Sequence, residues 1–430
     1  MKIELPNQAY RYVTENSQEC DPQTAFVLTT QNEKYLDDAK ANSAHSIIKI
    51  KDIAALFGVD KIKIIGITGT NGKTTTASAI YSFLLDLGYK VAMQGTRGLF
   101  MNDEVVEGKT LTTPSVLNTY RHIYQAVAAG CEYFIMEVSS HAIVQKRIEG
   151  LTFELKVLTN ITQDHLDYHK TLEEYIAVKN SFFRDEGKKL INKDEPKARF
   201  NFKNTYTYGI ENPATYRLMA YSLNDGSSGI IQHFQEIVPF TASLHGFFNL
   251  YNLMAAISAT DLITDKTLEE VCDVVDNFAG VSGRMEQVCA VPNVIVDFAH
   301  TPDGMQQVLN ALKEKELLVV FGAGGDRDTT KRPLMGRVAA TLAKKVYITT
   351  DNPRHEDPEA IIDDILEGIE DKQNVVIELN RKRAIEMALD DQEGEEVVVI
   401  LGKGDENYQI IYDKKLPFDD REVVRELLQI

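Results

Sequence analysis

KIKIIGIT (61–68) runs directly into GTNGKTT (69–75) and then into TASAIYSFLLDLG (76–88). The first piece is apolar and β-branched, the second is a glycine-bearing turn, and the third carries apolar residues at helical spacing. This is strand, loop and helix, the opening of an α/β unit. Glycines in such a loop let backbone N–H groups approach phosphate oxygens, and the helix N-terminus adds partial positive charge. Lys73 is placed to reach the outer phosphates of a nucleotide, and the Thr74 hydroxyl to bind Mg²⁺. The general phosphate-loop pattern asks for glycine at position 67, where this chain has Ile67. The loop is therefore a variant of that pattern, identified by its strand–loop–helix setting.

Further apolar runs follow at YFIMEVSS (133–140) and LKVLTNI (155–161). Glu137 closes the first of them. A carboxylate at the C-terminal end of a central strand faces the crevice where α/β sheets hold ligands. The second run leads into TNITQDHLDYH (159–169), with two histidines and two aspartates close together, and then TLEEYIAVKNSFF (171–183), a helical stretch containing Lys179. The stretch from Asp185 to Val238 is irregular and reads either as a small β-rich insertion or as surface loops. From about Ser282 a second alternation begins. Its strands are VPNVIVDF (291–298), LLVVFGAG (317–324), KVYITTD (345–351) and EVVVILG (396–402), with helical segments between them. That order predicts a parallel, doubly wound sheet. Gly280-Val281-Ser282-Gly283 is a plausible hinge between the two units.

At the other end, residues 1–58 offer one strand run, AFVLTT (25–30), and one helical run, LDDAKANSA (36–44). So little apolar material predicts a piece that packs on its neighbour. The whole chain has 430 residues, a net charge of −18 and four widely spaced cysteines. The acidity disfavours a nucleic-acid backbone as partner. The cysteine spacing disfavours a disulfide framework or zinc knuckle and suits a reducing cytoplasm. No secretory signal and no membrane-spanning run are visible.

TGTNGKTT (68–75), LTTPS (111–115), MEVSSHAIVQKR (136–147), TNITQDHLDYH (159–169), YIAVK (175–179), SGRME (282–286), DFAHTPD (297–303), GAGGDRDTTKRPLMG (322–336), DNPRHEDP (351–358) and GKGDENYQ (402–409) occur in this order over almost the whole chain. The set resembles the Mur ligase family. The resemblance implies an α/β protein of three domains. Residues 1–58 would be a small, shortened N-terminal UDP-binding domain. Residues 59–281 would be a central P-loop-type ATPase α/β domain, and residues 282–430 a C-terminal doubly wound Rossmann-like domain that binds the amino acid. It implies a cytoplasmic, monomeric enzyme that uses ATP and Mg²⁺ to join an amino acid to a UDP-N-acetylmuramoyl peptide through an acyl phosphate.

Carried over by position, the resemblance assigns ATP to Gly69, Thr70, Asn71, Gly72, Lys73, Thr74, Thr75, Asn249, Asn252, Arg284, Asp297 and His300. It gives metal roles to Thr74, Glu137, His165 and Lys179, the last as a carbamate, and so makes Lys73, Glu137, His165 and Lys179 the catalytic set. Thr112, Thr113, Ser139, Gln145 and Arg147 match contacts to the UDP-muramoyl substrate. The family's Asp-Ser-Arg uridine motif is here Asn16-Ser17-Gln18, leaving Ser17 as the uridine candidate. Arg327, Asp351, Asn352, Arg354, Gly402 and Glu406 match the amino-acid site. The DNPR run (351–354) resembles the form that takes meso-diaminopimelate, and lysine-adding relatives typically lack this arginine. A guanidinium can pair bidentately with the extra carboxylate that distinguishes diaminopimelate from lysine. Asp405 stands where the family's G-K-G-H-E has histidine, which would add an acid near the bound ammonium. The alternatives are a lysine-adding Mur ligase and a folylpolyglutamate-synthetase-like ligase. Arg354 and the loop around Lys73 are expected in one closed cavity.

Overall fold

The computed structural model describes residues 2–5, 9–109, 111–224 and 226–430. Three principal sheets follow one another along the chain. The first has four short strands in spatial order Ile3–Glu4, Tyr12–Thr14, Thr24–Leu28 and Ser46–Lys49. Its apolar residues Val13, Ala25 and Val27, with Ile50 and Ile53 of the short helix that follows, belong to the same buried cluster as Ile64, Ala92, Phe134 and Met136 of the second sheet. The N-terminal piece thus completes its core on its neighbour, as its composition predicts.

The second sheet has eleven strands, with Lys63–Thr68 between Leu155–Leu158 and Tyr133–Glu137, all parallel. Side chains alternate between its faces. Ile65, Val91, Met93 and Val157 pack under helices Lys73–Asp86 and Phe247–Ile263, while Ile64, Phe134 and Met136 pack toward helix Val116–Ala128. Burial on both faces is what parallel strands require. Residues 185–238 form neither a separate insertion nor loops. Lys189–Asn192, Thr205–Gly209 and Tyr216–Ser222 extend the sheet in parallel, and Ser227–His233 and Glu236–Ala242 close that end as antiparallel strands. Helix Phe247–Ile263 covers the inner face of this extension, with Tyr208, Tyr216, Leu218 and Ile231 buried beneath it. That shared cover ties the extension into the main core.

The third sheet has six strands in order Glu286–Cys289, Asn293–Asp297, Val397–Leu401, Leu317–Phe321, Lys345–Ile348 and Val375–Ile377, parallel except for the first. Separate buried clusters lie on its two faces. Met305, Met335, Ile361 and Ile365 build one; Ala384, Ile385, Val423 and Val424 build the other. It is a doubly wound sheet. Asn293–Asp297, Leu317–Phe321, Lys345–Ile348 and Val397–Leu401 fall inside the runs expected from the sequence, while the edge strands Glu286–Cys289 and Val375–Ile377 were not expected. All four cysteines are free. Among the described residues, no helix is long and apolar enough to cross a membrane.

Candidate active site

The C-terminal ends of the strands in the second and third sheets face each other across a cleft. The phosphate loop sits in it. Gly72 has φ +83°, and a Cβ there would lie 2.2 Å from Asn252 Oδ1, so only glycine lets helix Phe247–Ile263 approach this closely. Lys73 Nζ donates to the carbonyl oxygens of Gly69 and Thr70, each at 2.8 Å. The Thr74 hydroxyl lies 3.0 Å from Glu137 Oε2, and the Thr96 N–H and hydroxyl donate to the same carboxylate. Neighbours brace the loop. Asn71 N–H donates to Asn160 Oδ1, and Thr70 Oγ1 meets the Tyr175 hydroxyl at 2.9 Å.

Lys179, buried in helix Leu172–Ser181, donates to the Gly69 carbonyl at 2.8 Å. Burial, then the nearby Lys73, pushes its amine well below the usual lysine range. Burial also lowers Lys73. His165 adopts φ +56° and its Nε2 lies 3.3 Å from Asp164 Oδ2. Burial pushes that imidazole down to about 3, against the pull of Asp164. Burial raises the Asp164 carboxyl, but His165, Lys331 and His300 outweigh it and hold the group well below the usual carboxylate range. Among the described residues, no three His, Cys, Asp or Glu side chains gather as a metal site. The Thr74 and Glu137 oxygens beside the loop are hard donors of the kind a cation bound with phosphate would take.

The cleft holds two adjoining cavities, where the sequence reading expected one. The larger, about 330 Å³, is lined by Asn71, Gly72, Thr75, Asn249, Asn252, Arg284 and Asp297. The smaller, about 200 Å³, is lined by His165, His300, Arg327, Asp351, Asn352, Arg354, Gly402 and Glu406. The strand-end loop 297–300 divides them. Asp297 and Ala299 face the first, Phe298 and His300 the second. His300, assigned by position to the nucleotide, thus stands in the smaller cavity, where burial pushes it down to about 4.

Arg354 (φ +51°) is held by its Nη1 to the Gly325 carbonyl at 2.7 Å, and Arg327 by its Nη1 to the Asp326 carbonyl at 2.9 Å. Among the described residues, neither guanidinium has a carboxylate partner within ion-pair distance. Glu406 accepts from Asn352 Nδ2 at 3.0 Å and from the buried Lys403 at 3.1 Å, and Lys403 also lies 3.4 Å from Asp351. Asp405 does not enter this cavity. It turns to Arg97 and Lys109 of the middle region, which corrects the expectation of an added acid beside the ammonium.

A third cavity, about 290 Å³, lies between the N-terminal sheet and the middle sheet and includes Glu15, Thr29, Asn32, Gln145 and Arg147 in its lining. Gln145 accepts from Arg147, whose Nη1 donates to the Thr113 carbonyl at 2.7 Å. Thr113 Oγ1 donates to the Glu137 carbonyl, Thr112 meets Thr96, and Ser139 caps helix Ser140–Val144. These groups form a continuous path from the third cavity to Glu137. Ser17 stands apart from it. It is buried in a turn capped by Asn16, and the cavity wall is made by the neighbouring Thr29–Asn32 turn.

Sequence reasoning passed over Thr96, Asp303 and Lys331. Asp303 Oδ2 accepts from Asn71 Nδ2 at 2.9 Å, joining the phosphate loop to helix Pro302–Ala311, and Lys331 pairs with Asp164 at 3.6 Å across the cleft. A Thr-Pro-Asp helix start and a Lys-Arg-Pro run give no sign of partners so distant in sequence.

Two domain families match the chain: the Mur ligase middle domain over residues 67–260 and the Mur ligase glutamate ligase domain over 283–404. The chain belongs to the Mur ligase family. It is 52% identical over 99% of its length to a UDP-N-acetylmuramoyl-L-alanyl-D-glutamate--2,6-diaminopimelate ligase of Wolinella succinogenes, covering 98% of that protein. It is 48% identical over 98% of its length to the protein of the same name from Helicobacter pylori, covering 96% of it. A solved structure bearing that name superposes with TM-score 0.67 at 29% identity, covering 100% of this chain and 99% of the other. A Mycobacterium tuberculosis folylpolyglutamate synthase shares the fold, with TM-score 0.68 at 17% identity over 81% of this chain and 91% of its own.

Proposed function

We propose that this chain is the ATP-dependent ligase that adds meso-diaminopimelate to UDP-N-acetylmuramoyl-L-alanyl-D-glutamate in cytoplasmic peptidoglycan precursor synthesis. One observation carries the amino-acid assignment. Arg327 and Arg354 present two guanidinium groups without carboxylate partners to a cavity that also holds Glu406 and Asp351. A diamino diacid brings the missing carboxylate and offers an ammonium to the acids. Lysine would leave the half-buried guanidinium of Arg354 without a carboxylate partner, and a charge left without its partner in a partly desolvated site is what makes that site reject the wrong ligand.

In this reading residues 1–58 hold the uridine end, 59–281 bind ATP, and 282–430 bind the amino acid. Lys73 exchanges its two carbonyl partners for phosphate oxygens, and Asn249, Asn252 and Arg284 border the nucleotide. The substrate carboxylate attacks the γ-phosphorus and ADP leaves. The amine of diaminopimelate then attacks the acyl carbon, and phosphate leaves. Thr74, Glu137, His165 and a carbamate on Lys179 would hold Mg²⁺, which supplies neutralisation of the charge that builds as two anions meet. The residues fit that role: Thr74 and Glu137 present oxygens 3.0 Å apart beside the loop. Burial keeps the Lys179 amine toward its neutral form, which carbamate formation needs. Contacts across the cleft (Asn71–Asp303, Asp164–Lys331) keep water from the acyl phosphate. The enzyme works as a monomer without nucleic acid.

The test is ADP and phosphate release by the purified chain with UDP-N-acetylmuramoyl dipeptide and, separately, diaminopimelate, lysine and glutamate. Release with diaminopimelate is expected. Release with lysine alone overturns the amino-acid assignment.

A further inference from the structure

Asp405 interrupts the amino-acid loop Gly402–Glu406 with a side chain that leaves the cavity. Its Oδ2 lies 3.1 Å from Lys109 Nζ and 3.8 Å from Arg97 Nε, and Lys109 also donates to the Asp405 carbonyl oxygen. Both cations belong to the segment between strand Val91–Gly95 and helix Val116–Ala128, the segment that also brings Thr96 to Glu137 and Thr113 to Arg147. The Asp405 side chain is 14% exposed and the two cations about a third, so the cluster is partly shielded from solvent screening.

The hinge meets the same loop. Gly283 has φ +72°, and a Cβ there would lie 2.1 Å from Asp405 N. Gly283 N–H donates to Glu286 at 2.6 Å, and Arg421 holds the Ser282 hydroxyl at 2.7 Å. This half of the hinge is therefore fixed to the C-terminal sheet and seated on the loop. Without Asp405, two like charges would face the loop across the cleft with no acid between them.

We propose that Asp405 is a positioning residue. The Arg97–Asp405–Lys109 cluster clamps the amino-acid loop to the middle domain, so that Glu406 reaches the ammonium of the incoming amino acid only in the closed molecule. The link to the ammonium rests on the diaminopimelate reading; the clamp itself does not.

Small-angle scattering of the full chain with a non-hydrolysable ATP analogue reads closure without any ligase activity. Asp405→Lys is expected to enlarge the molecule, and the full reversal Arg97→Glu, Lys109→Glu, Asp405→Lys to return it toward wild-type dimensions. In steady-state kinetics, Asp405→Asn is expected to raise KM for diaminopimelate about fivefold, the scale of two partly shielded ion pairs, with KM for ATP within about twofold. Asp405→Lys with unchanged dimensions and KM overturns the clamp, as does a triple reversal no better than the single change. A wild-type chain that ignores diaminopimelate overturns the functional reading instead, and the scattering series still decides the clamp.

Discussion

The two cavities of the cleft are separated by a single loop yet are built on opposite electrostatic plans. The larger cavity and the phosphate loop beside it are largely self-satisfied. Lys73 rests on two carbonyl oxygens, Glu137 on Thr74 and Thr96, and Asn252 on Asn249. In the proposed function its ligand is gripped by exchange of partners, with backbone groups doing much of the work. The amino-acid cavity keeps two guanidiniums short of carboxylates beside the Lys403–Glu406–Asp351 cluster. On that reading, one plan suits a ligand that carries phosphates in the right place. The other selects for a charge pattern.

Lys179→Ala sharpens the comparison most, since it removes a group on the nucleotide side that nothing else replaces. Turnover should fall on the order of 10³-fold, the loss typical of deleting one preorganised electrostatic element. Short carboxylic acids added to the assay should restore part of it; wild-type turnover by the variant would remove the carbamate from the mechanism. On the amino-acid side, Arg354→Lys should lower kcat/KM for diaminopimelate about 100-fold, as expected when a partly buried bidentate charge contact is broken, with KM for ATP nearly unchanged. Equal losses for both substrates would mean that the arginine only holds the fold.

The pH response of stability gives a smaller effect. Burial holds His300 at about 4 in the folded chain against an ordinary value near 6.5. A depressed pKa favours folding above the unfolded value, and that contribution is lost as pH falls from about 6.5 through about 4. Denaturant titrations should therefore show wild type losing about 1–3 kcal/mol more than His300→Gln across this window. Parallel curves would rule out the imidazole as a source. The smallest effect is expected for Asp303→Ala, which removes the acceptor for Asn71 between the two plans. KM for ATP should rise roughly fivefold, the worth of one hydrogen bond; a larger rise in KM for the amino acid would place the coupling elsewhere.

The strand, loop and helix around Lys73 were legible because that geometry is written locally. Gly69 to Thr75 is strand end, loop and helix start in one run, and Glu137 is a strand-end acid. Arg354, singled out through the DNPR run, lines the smaller cavity. The braces were not legible. Thr96, Asp303 and Lys331 act through partners 41, 232 and 167 positions away, and only the folded chain brings them together. Asp405 was misread because sequence shows its neighbour Glu406 but not the direction of its side chain. Residues 185–238 were misread because short strands alternating with polar turns look the same whether they form an insertion or widen a sheet. Helix Phe247–Ile263, which covers them, settles the matter from a distance.

The Gly69 carbonyl accepts from both Lys73 and Lys179. One peptide oxygen therefore keeps two amines in register, the buried one of Lys179 and the partly exposed one of Lys73, and in the proposed function it stands in for a phosphate oxygen. An incoming nucleotide must outbid it. On that reading, a nucleoside without phosphates would have nothing to offer in exchange, and the loop would turn it away before any chemistry begins.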